Sequence, residues 1–180
     1  MKTYQKFITE KKGDTVVFTF GRFNPPTVGH EKLITAVQSV ARTRGGDFFV
    51  YPSHSQDPKK NPLNQATKIK YMKKMFPKFK KNIIASSGKT ALNIAAELYK
   101  KKYTTLVMVV GSDRVDEFQR ILDKYNGQDL AHGFYDFDQI YVVSAGERDP
   151  DAEGVEGMSA SKMRAAAVAG DFKSFRMGTP

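Results

Sequence analysis

The 180-residue chain has no cysteine, no tryptophan and only three histidines. Without cysteine there is no disulfide, no thiolate zinc site and no cysteine nucleophile, which suits a reducing compartment. No segment approaches the ~18 consecutive apolar residues of a membrane span. The basic start MKTYQKFITEKKGD lacks the apolar centre of a signal peptide, so a cytoplasmic protein without membrane attachment is expected. His30, His54 and His132 fall on separate expected loops with no ligand spacing among them, which argues against a protein-held zinc ion.

Two glycine-rich phosphate motifs are missing as well. No G-x-G-x-x-G follows the first apolar run, so a dinucleotide-binding dehydrogenase has no fingerprint here. ASSGKTA, residues 85–91, contains the GKT that ends a P-loop, but the glycine required five residues before Gly88 is replaced by Ile83.

Acid is scarce relative to base. Twenty-nine Lys and Arg against nineteen Asp and Glu give a formal charge of +10, which steers polyanions toward the chain without choosing between a nucleotide and a nucleic acid. The excess is uneven, and KKNPLNQATKIKYMKKMFPKFKK, residues 59–81, interleaves lysines with three aromatics. A nucleic-acid surface has this composition. So has the solvated face of a helix whose Ile69, Met72 and Phe76 turn inward at helical spacing.

What is present alternates two periods. TVVFTF (15–20), DFFVYP (47–52), NIIAS (82–86), TLVMVV (105–110) and QIYVVS (139–144) are short, β-branched or aromatic, and bounded by turn residues, which predicts five buried strands. Residues 29–43, 65–76, 89–101 and 113–125 carry helical periodicity, and a fifth helical segment opens at 159 with SASKMRAAAVAG. Near-continuous apolar strands joined by helical crossovers predict a parallel sheet covered on both faces, with ligands at the carboxyl ends of its strands. One domain over 15–180 after an extension of residues 1–14 is expected.

Three pieces should meet at that edge: Gly21-Arg22 with Thr27-Val28-Gly29-His30, then Gly111-Ser112-Asp113-Arg114, then the loop AGERDPDAEGVEGMSASKMR. A strand end running into a helix start leaves backbone N–H groups directed outward, a ready place for an anion. Gly29 lets a phosphate approach the backbone, and Thr27 and His30, three apart, present a hydroxyl and an imidazole to one side. The plainer reading makes Thr27 a helix cap and His30 a surface residue.

GRFNPPTVGH resembles the T/HxGH signature of the nucleotidylyltransferase superfamily, and Gly157-Met158-Ser159-Ala160-Ser161-Lys162-Met163-Arg164 resembles its second signature, ISSTxIR. The two lie in the family's order, about 130 residues apart. The opening is most similar to the GRFQPxHxGH of archaeal-type nicotinamide-nucleotide adenylyltransferases, and residues 53–72 resemble their Ser-rich loop and Asn-Pro segment. Thr27 stands where many relatives have His, as it does in pantetheine-phosphate adenylyltransferases. The end, KMRAAAVAGDFKSFRMGTP, is similar in style to other branches, including small transferase-like proteins of large phages.

The resemblance implies a Rossmann-like α/β fold and transfer of a nucleoside monophosphate from ATP, or CTP, to a small phosphorylated acceptor with release of pyrophosphate. Nicotinamide mononucleotide is the favoured acceptor, and a cytidylyltransferase acting on a phospho-alcohol is the sibling. It implies that His30, Thr27, Arg22, Lys162 and Arg164 serve catalysis, and that Gly21, Phe23, Gly29, Gly111, Asp113, Met158, Ser159 and Ser161 join them around the nucleotide. Asp113 is equally a candidate cap for the fourth helix, and Ser159 a cap for the fifth. Ser53, His54 and Asn61, with Lys60 beside them, are assigned to the acceptor; each is otherwise a polar loop residue. Mg²⁺ is expected, held through nucleotide phosphates and water, with no dedicated protein metal site. Oligomeric state stays open, a homo-oligomer being one outcome. The reading from another class is a non-catalytic nucleic-acid-binding or regulatory module on the same fold.

Overall fold

Four of the five apolar runs form the sheet. In the computed structural model, which describes residues 14–146 and 158–180, the strands β1 (Thr15–Gly21), β2 (Asp47–Pro52), β3 (Thr105–Val110) and β4 (Gln139–Ser144) run parallel in the order β2-β1-β3-β4. Crossovers supply the covering layers: α1 (Gly29–Arg44), α2 (Gln65–Met75), α3 (Ala91–Lys100) and α4 (Val115–Tyr125). Two further helices, α5 (Ala160–Ala169) and α6 (Phe172–Gly178), follow β4.

The two central strands are buried on both faces, and their period of two sorts side chains between layers. Val16 and Phe18 of β1 pack with Leu106 and Met108 of β3 into the core shared with α3 and Leu122 of α4. Val17, Val107 and Val109 point the other way, against Val37 and Ala41 of α1. Each fully buried side chain of this kind stabilises by about 1.5–3 kcal/mol relative to exposure. A third cluster joins Ile34 of α1, Val50 of β2 and Met72 of α2 with Phe23, Phe76 and Phe79.

The expected fifth strand, 82–86, is not one. It meets β2 at the single bridge Val50–Ile83, where Val50 N–H donates to the Asn82 carbonyl (2.8 Å) and Ile84 N–H to the Val50 carbonyl (3.1 Å). Side chains intercept the ladder on both sides. Asn82 Nδ2 donates to the Phe48 carbonyl (2.9 Å), and the Glu97 carboxylate collects Ser87 N–H (3.0 Å) and Gly88 N–H (2.9 Å), which turns the chain away. The other edge is closed by a side chain too: Gln119 of α4 donates to the Ile140 carbonyl (3.1 Å) and accepts from Val142 N–H (2.7 Å) of β4.

Helix positions follow the periodicity closely. Thr90 starts α3 with a capping box to Asn93. Residues 112–114 form a short 3₁₀ turn before α4, so the expected helix from 113 begins at Val115, and no side chain caps it. Of the expected extension, residues 1–13 lie outside the described residues, while the Asp14 carbonyl accepts from Thr104 N–H (2.9 Å) and Thr105 N–H (3.0 Å). Residues 147–157, including Gly157 of the second motif and most of its loop, also lie outside them.

Candidate functional site

The sheet opens where its winding reverses. β1 connects toward β2 on one side, while β3 lies on the other, so the crevice between β1 and β3 is the switch point at which doubly wound sheets bind ligands. The pairing itself shows the opening: β1 stays registered with β2 as far as Gly21–Pro52, but its ladder with β3 ends at Phe18–Met108. Gly21 and Gly111 both follow into this gap.

After Gly21 the chain bends sharply at Phe23, which holds φ 44°. A positive φ at an aromatic residue costs on the order of 1 kcal/mol or more. Ring burial offsets it: Phe23 is buried in the α1–α2 cluster and lies 4.9 Å, centroid to centroid, from the His30 imidazole. The ring also folds back on Gly21, where an added Cβ would sit 3.1 Å from it. Asn24 locks the next residue pair, its amide donating to the Leu63 carbonyl (2.9 Å) and its Oδ1 accepting from Leu63 N–H (3.0 Å). Arg22, by contrast, is exposed at the mouth of the loop.

Thr27 and His30 form one unit. Thr27 N–H and the Thr27 hydroxyl both lie 2.9 Å from His30 Nδ1. An amide has only a hydrogen to offer, so Nδ1 is the acceptor, and the hydrogen of the neutral imidazole is thereby assigned to Nε2. His30 is only 8% exposed, and Thr27 is buried. The surface-histidine reading therefore does not hold, and Thr27 does not act as a side-chain cap of α1.

The C-terminal helices close over this unit. Ser159 caps α5, accepting from Lys162 N–H (3.2 Å), with Lys162 itself exposed. Arg164 reaches across 140 positions of sequence to donate from Nη1 to the Asn24 carbonyl (2.7 Å), and from Nη2 to Ser161 Oγ (3.1 Å). α6 had no counterpart in the periodicity, and its signals were Gly170 at a left-handed helix end followed by Asp171, which caps Ser174 N–H (3.0 Å). Its last residue matters most: the Gly178 carbonyl accepts from Val28 N–H (2.9 Å), so one orphan donor at the start of α1 is already used. A Cβ at Gly178 would lie 2.3 Å from the sulfur of Met163, so a larger residue there would require the Met163 side chain to move.

Gly111 and Asp113 stand at the end of β3, with Asp113 exposed and its Oδ1 folded toward Gly111. Met158, half-buried, leads into the Ser159 cap.

The residues assigned to the acceptor are drawn into local structure. Ser53 N–H donates to the Gly21 carbonyl (2.7 Å), which places Ser53 beside the first loop. His54 Nε2 donates to the Ser86 carbonyl (2.8 Å). Asp57 organises a turn, accepting from Lys59 N–H (3.0 Å), Lys60 N–H (2.6 Å) and the Asn61 amide (2.5 Å), and these bonds hold its carboxyl below the usual range. Asn61 Oδ1 is buried without a partner among the described residues.

Sequence reading missed Lys68, whose side chain is fully buried. Its ammonium donates to the Ser53 carbonyl (2.5 Å) and lies 3.4 Å from the Ser53 hydroxyl, and desolvation lowers its pKa to about 8. The helical spacing placed it one turn before Met72 on the inward stripe, which was the available signal. A base whose folded pKa is depressed binds fewer protons than its unfolded form between the two values, so stability rises with pH there. From pH 8 to 9.5 the protein should gain on the order of 1 kcal/mol, and Lys68→Met should flatten that rise. Urea unfolding at both pH values checks it; an equal slope in the variant removes Lys68 as the source.

A cavity of about 470 Å³ borders Arg164 and is walled largely by apolar side chains, among them Pro25, Pro26, Leu63, Tyr71 and Phe175. Apart from Arg164, none of the expected site residues lines it. Among the described residues, no group of three or more His, Asp or Glu side chains is arranged to hold a metal ion, and no helix is long and apolar enough to cross a membrane.

A family model described as cytidylyltransferase-like matches residues 18–166, a span that holds both motifs, the end of β1 and the whole of β2, β3 and β4. No curated protein matches the chain.

Proposed function

From its membership of the cytidylyltransferase-like family, to which this chain belongs over residues 18–166, we propose that it moves a nucleoside monophosphate from a nucleoside triphosphate to a phosphorylated acceptor. The observation that carries the site assignment is the Thr27–His30 unit, whose geometry assigns a hydrogen to Nε2 at the start of α1 beside the sheet's switch point.

An acceptor phosphate oxygen attacks the α-phosphorus in line; the new oxygen–phosphorus bond forms as the bond to the bridging oxygen breaks, and pyrophosphate leaves with the electron pair. Charge grows on the bridging and equatorial oxygens, so positioning and fixed donors do most of the work. His30 Nε2–H donates to the α-phosphate, with the Gly21–Phe23 backbone and Gly29 allowing close approach. Arg22 and Lys162, both exposed, meet the triphosphate from solvent. Arg164 and the α5 start, Ser159 to Ser161, hold the β- and γ-phosphates that depart. Gly111 and Asp113 border the nucleoside. Magnesium, when bound, would supply charge neutralisation at the phosphates, held through the nucleotide and water.

For the substrates, the adenylyl reading with nicotinamide mononucleotide rests on the resemblance of GRFNPPTVGH to the opening of nicotinamide-nucleotide adenylyltransferases. The cytidylyl reading rests on the family description. Pyrophosphate release with Mg²⁺, crossing ATP and CTP against nicotinamide mononucleotide, nicotinate mononucleotide, phosphopantetheine and phosphocholine, separates them. Release with ATP and a pyridine mononucleotide is expected; release only with CTP and phosphocholine would replace it with the cytidylyl reading, and silence across the panel would leave the transferase assignment without support.

A further inference from the structure

The whole formal charge of +10 sits in one stretch. Residues 58–96 contain ten lysines and no Asp, Glu or Arg, while the remainder of the chain carries nineteen cationic and nineteen acidic residues. The fold keeps that stretch together along the β2 edge of the sheet, as α2, the 3₁₀ turn Pro77–Phe79, the bridge at Ile83 and the start of α3. Nine of the ten lysines are exposed, Lys68 being the exception, and none of the nine makes an ion pair among the described residues.

An ordinary solvated helix face mixes signs at i,i+4 spacing. α2 instead sets Lys70, Lys73 and Lys74 within one turn of each other with no acid to relieve them, a repulsion of a few tenths of a kcal/mol per pair that a bound polyanion removes. The apolar side of α2 is already spent on the core, through Met72, Ile69 and Met75. The lysine face thus has no stripe to sink into a bilayer. Its exposed large apolar side chain is Tyr71, 47% accessible between Lys70 and Lys73. The other strongly exposed apolar residues near a helix, Val168, Phe172 and Met177, belong to α5 and α6. Cations along a ridge with an aromatic among them are the two elements that hold an unpaired strand: phosphates on the ammonium groups and a base on the ring.

We propose that the α2 ridge, continued by Lys78, Lys80 and Lys81, is a binding surface for single-stranded nucleic acid; its Tyr71 and Lys74 also line the cavity that borders Arg164. It does not depend on the nucleotidyl-transfer reading, since none of the ridge residues is placed in that chemistry.

Fluorescence anisotropy of the full chain with a mixed-sequence RNA of about 12 nucleotides, between about 50 and 200 mM KCl, tests it. Four to six phosphate contacts would give a log–log salt slope of roughly −3 to −4 for a single strand. K70Q/K73Q/K78Q should weaken binding at least about tenfold and flatten the slope by about 2. K100Q/K101Q/K124Q, which removes equal charge from the ends of α3 and α4, should stay within about twofold, and Tyr71→Ala should weaken binding about fivefold or more through lost stacking. Circular dichroism confirms that each variant is folded. Equal losses in the two triple variants would reduce the effect to net charge and overturn the proposal. So would the absence of salt-sensitive RNA binding, or binding to phosphatidylserine vesicles without RNA binding.

Discussion

Replacing His30 with alanine should lower turnover by about 10² to 10³ with a smaller change in KM, the usual cost of losing one donor aimed at developing charge. It should also lower the melting temperature by several degrees. Thr27 N–H is buried and loses its acceptor at 2.9 Å, and Phe23 loses the ring it packs against, together about 1–3 kcal/mol. Activity alone would not then separate chemistry from folding, and His30→Asn does. Its Oδ1 occupies nearly the place of Nδ1 and can accept from Thr27 N–H, which restores most of the stability, but it carries no group at the place of Nε2. Steady-state pyrophosphate release and thermal unfolding of both variants decide the matter: wild-type turnover in His30→Asn would remove the imidazole from the reaction.

Arg164→Ala is expected to lower kcat/KM for the triphosphate by about 10², and to cost stability as well. The guanidinium is the strap between the two motifs, bonded to the Asn24 carbonyl at one end of its fork and to Ser161 at the other. Arg164→Lys should fall between, because an ammonium lacks the fork that meets both acceptors at once. Lys162→Ala is the contrast. Its side chain is exposed, so KM for the triphosphate should rise about tenfold with the melting temperature unchanged. Kinetics and unfolding curves for the three variants are the measurement. If Arg164→Ala lowers the melting temperature and leaves kcat and KM untouched, the residue is a structural strap and the β,γ-phosphate assignment moves to Lys162 and the α5 start.

The place of His30 at a strand-to-helix junction was readable from TVGH, yet its buried setting against the Phe23 ring was not. That setting depends on Phe23 taking φ 44°, a conformation no residue-by-residue preference favours for phenylalanine. The acceptor residues illustrate the opposite case. Ser53, His54 and Asn61 were named because they are polar and near the right loop; the bonds of Ser53 to Gly21 and of His54 to Ser86 come from segments brought alongside by the fold, while Asn61 is held within its own turn by Asp57.

Periodicity in the chain was enough for four strands, the five helices it marked, the parallel winding and the order of the two motifs, since each of these is written into consecutive side chains that must alternate or recur to be buried. Pairing partners are not written there. Whether NIIAS becomes a strand depends on Asn82 and Glu97 competing for backbone groups with β2, and whether Lys68 is an exposed cation or a desolvated one depends on Ser53 lying beneath it. The same holds for α6, whose weight rests on one carbonyl reaching Val28 across the molecule, and for the strap from Arg164 to Asn24. These are contacts between residues far apart in the chain, and their free energy is settled by packing geometry and by which hydrogen-bond partner is nearest, neither of which has a local signature.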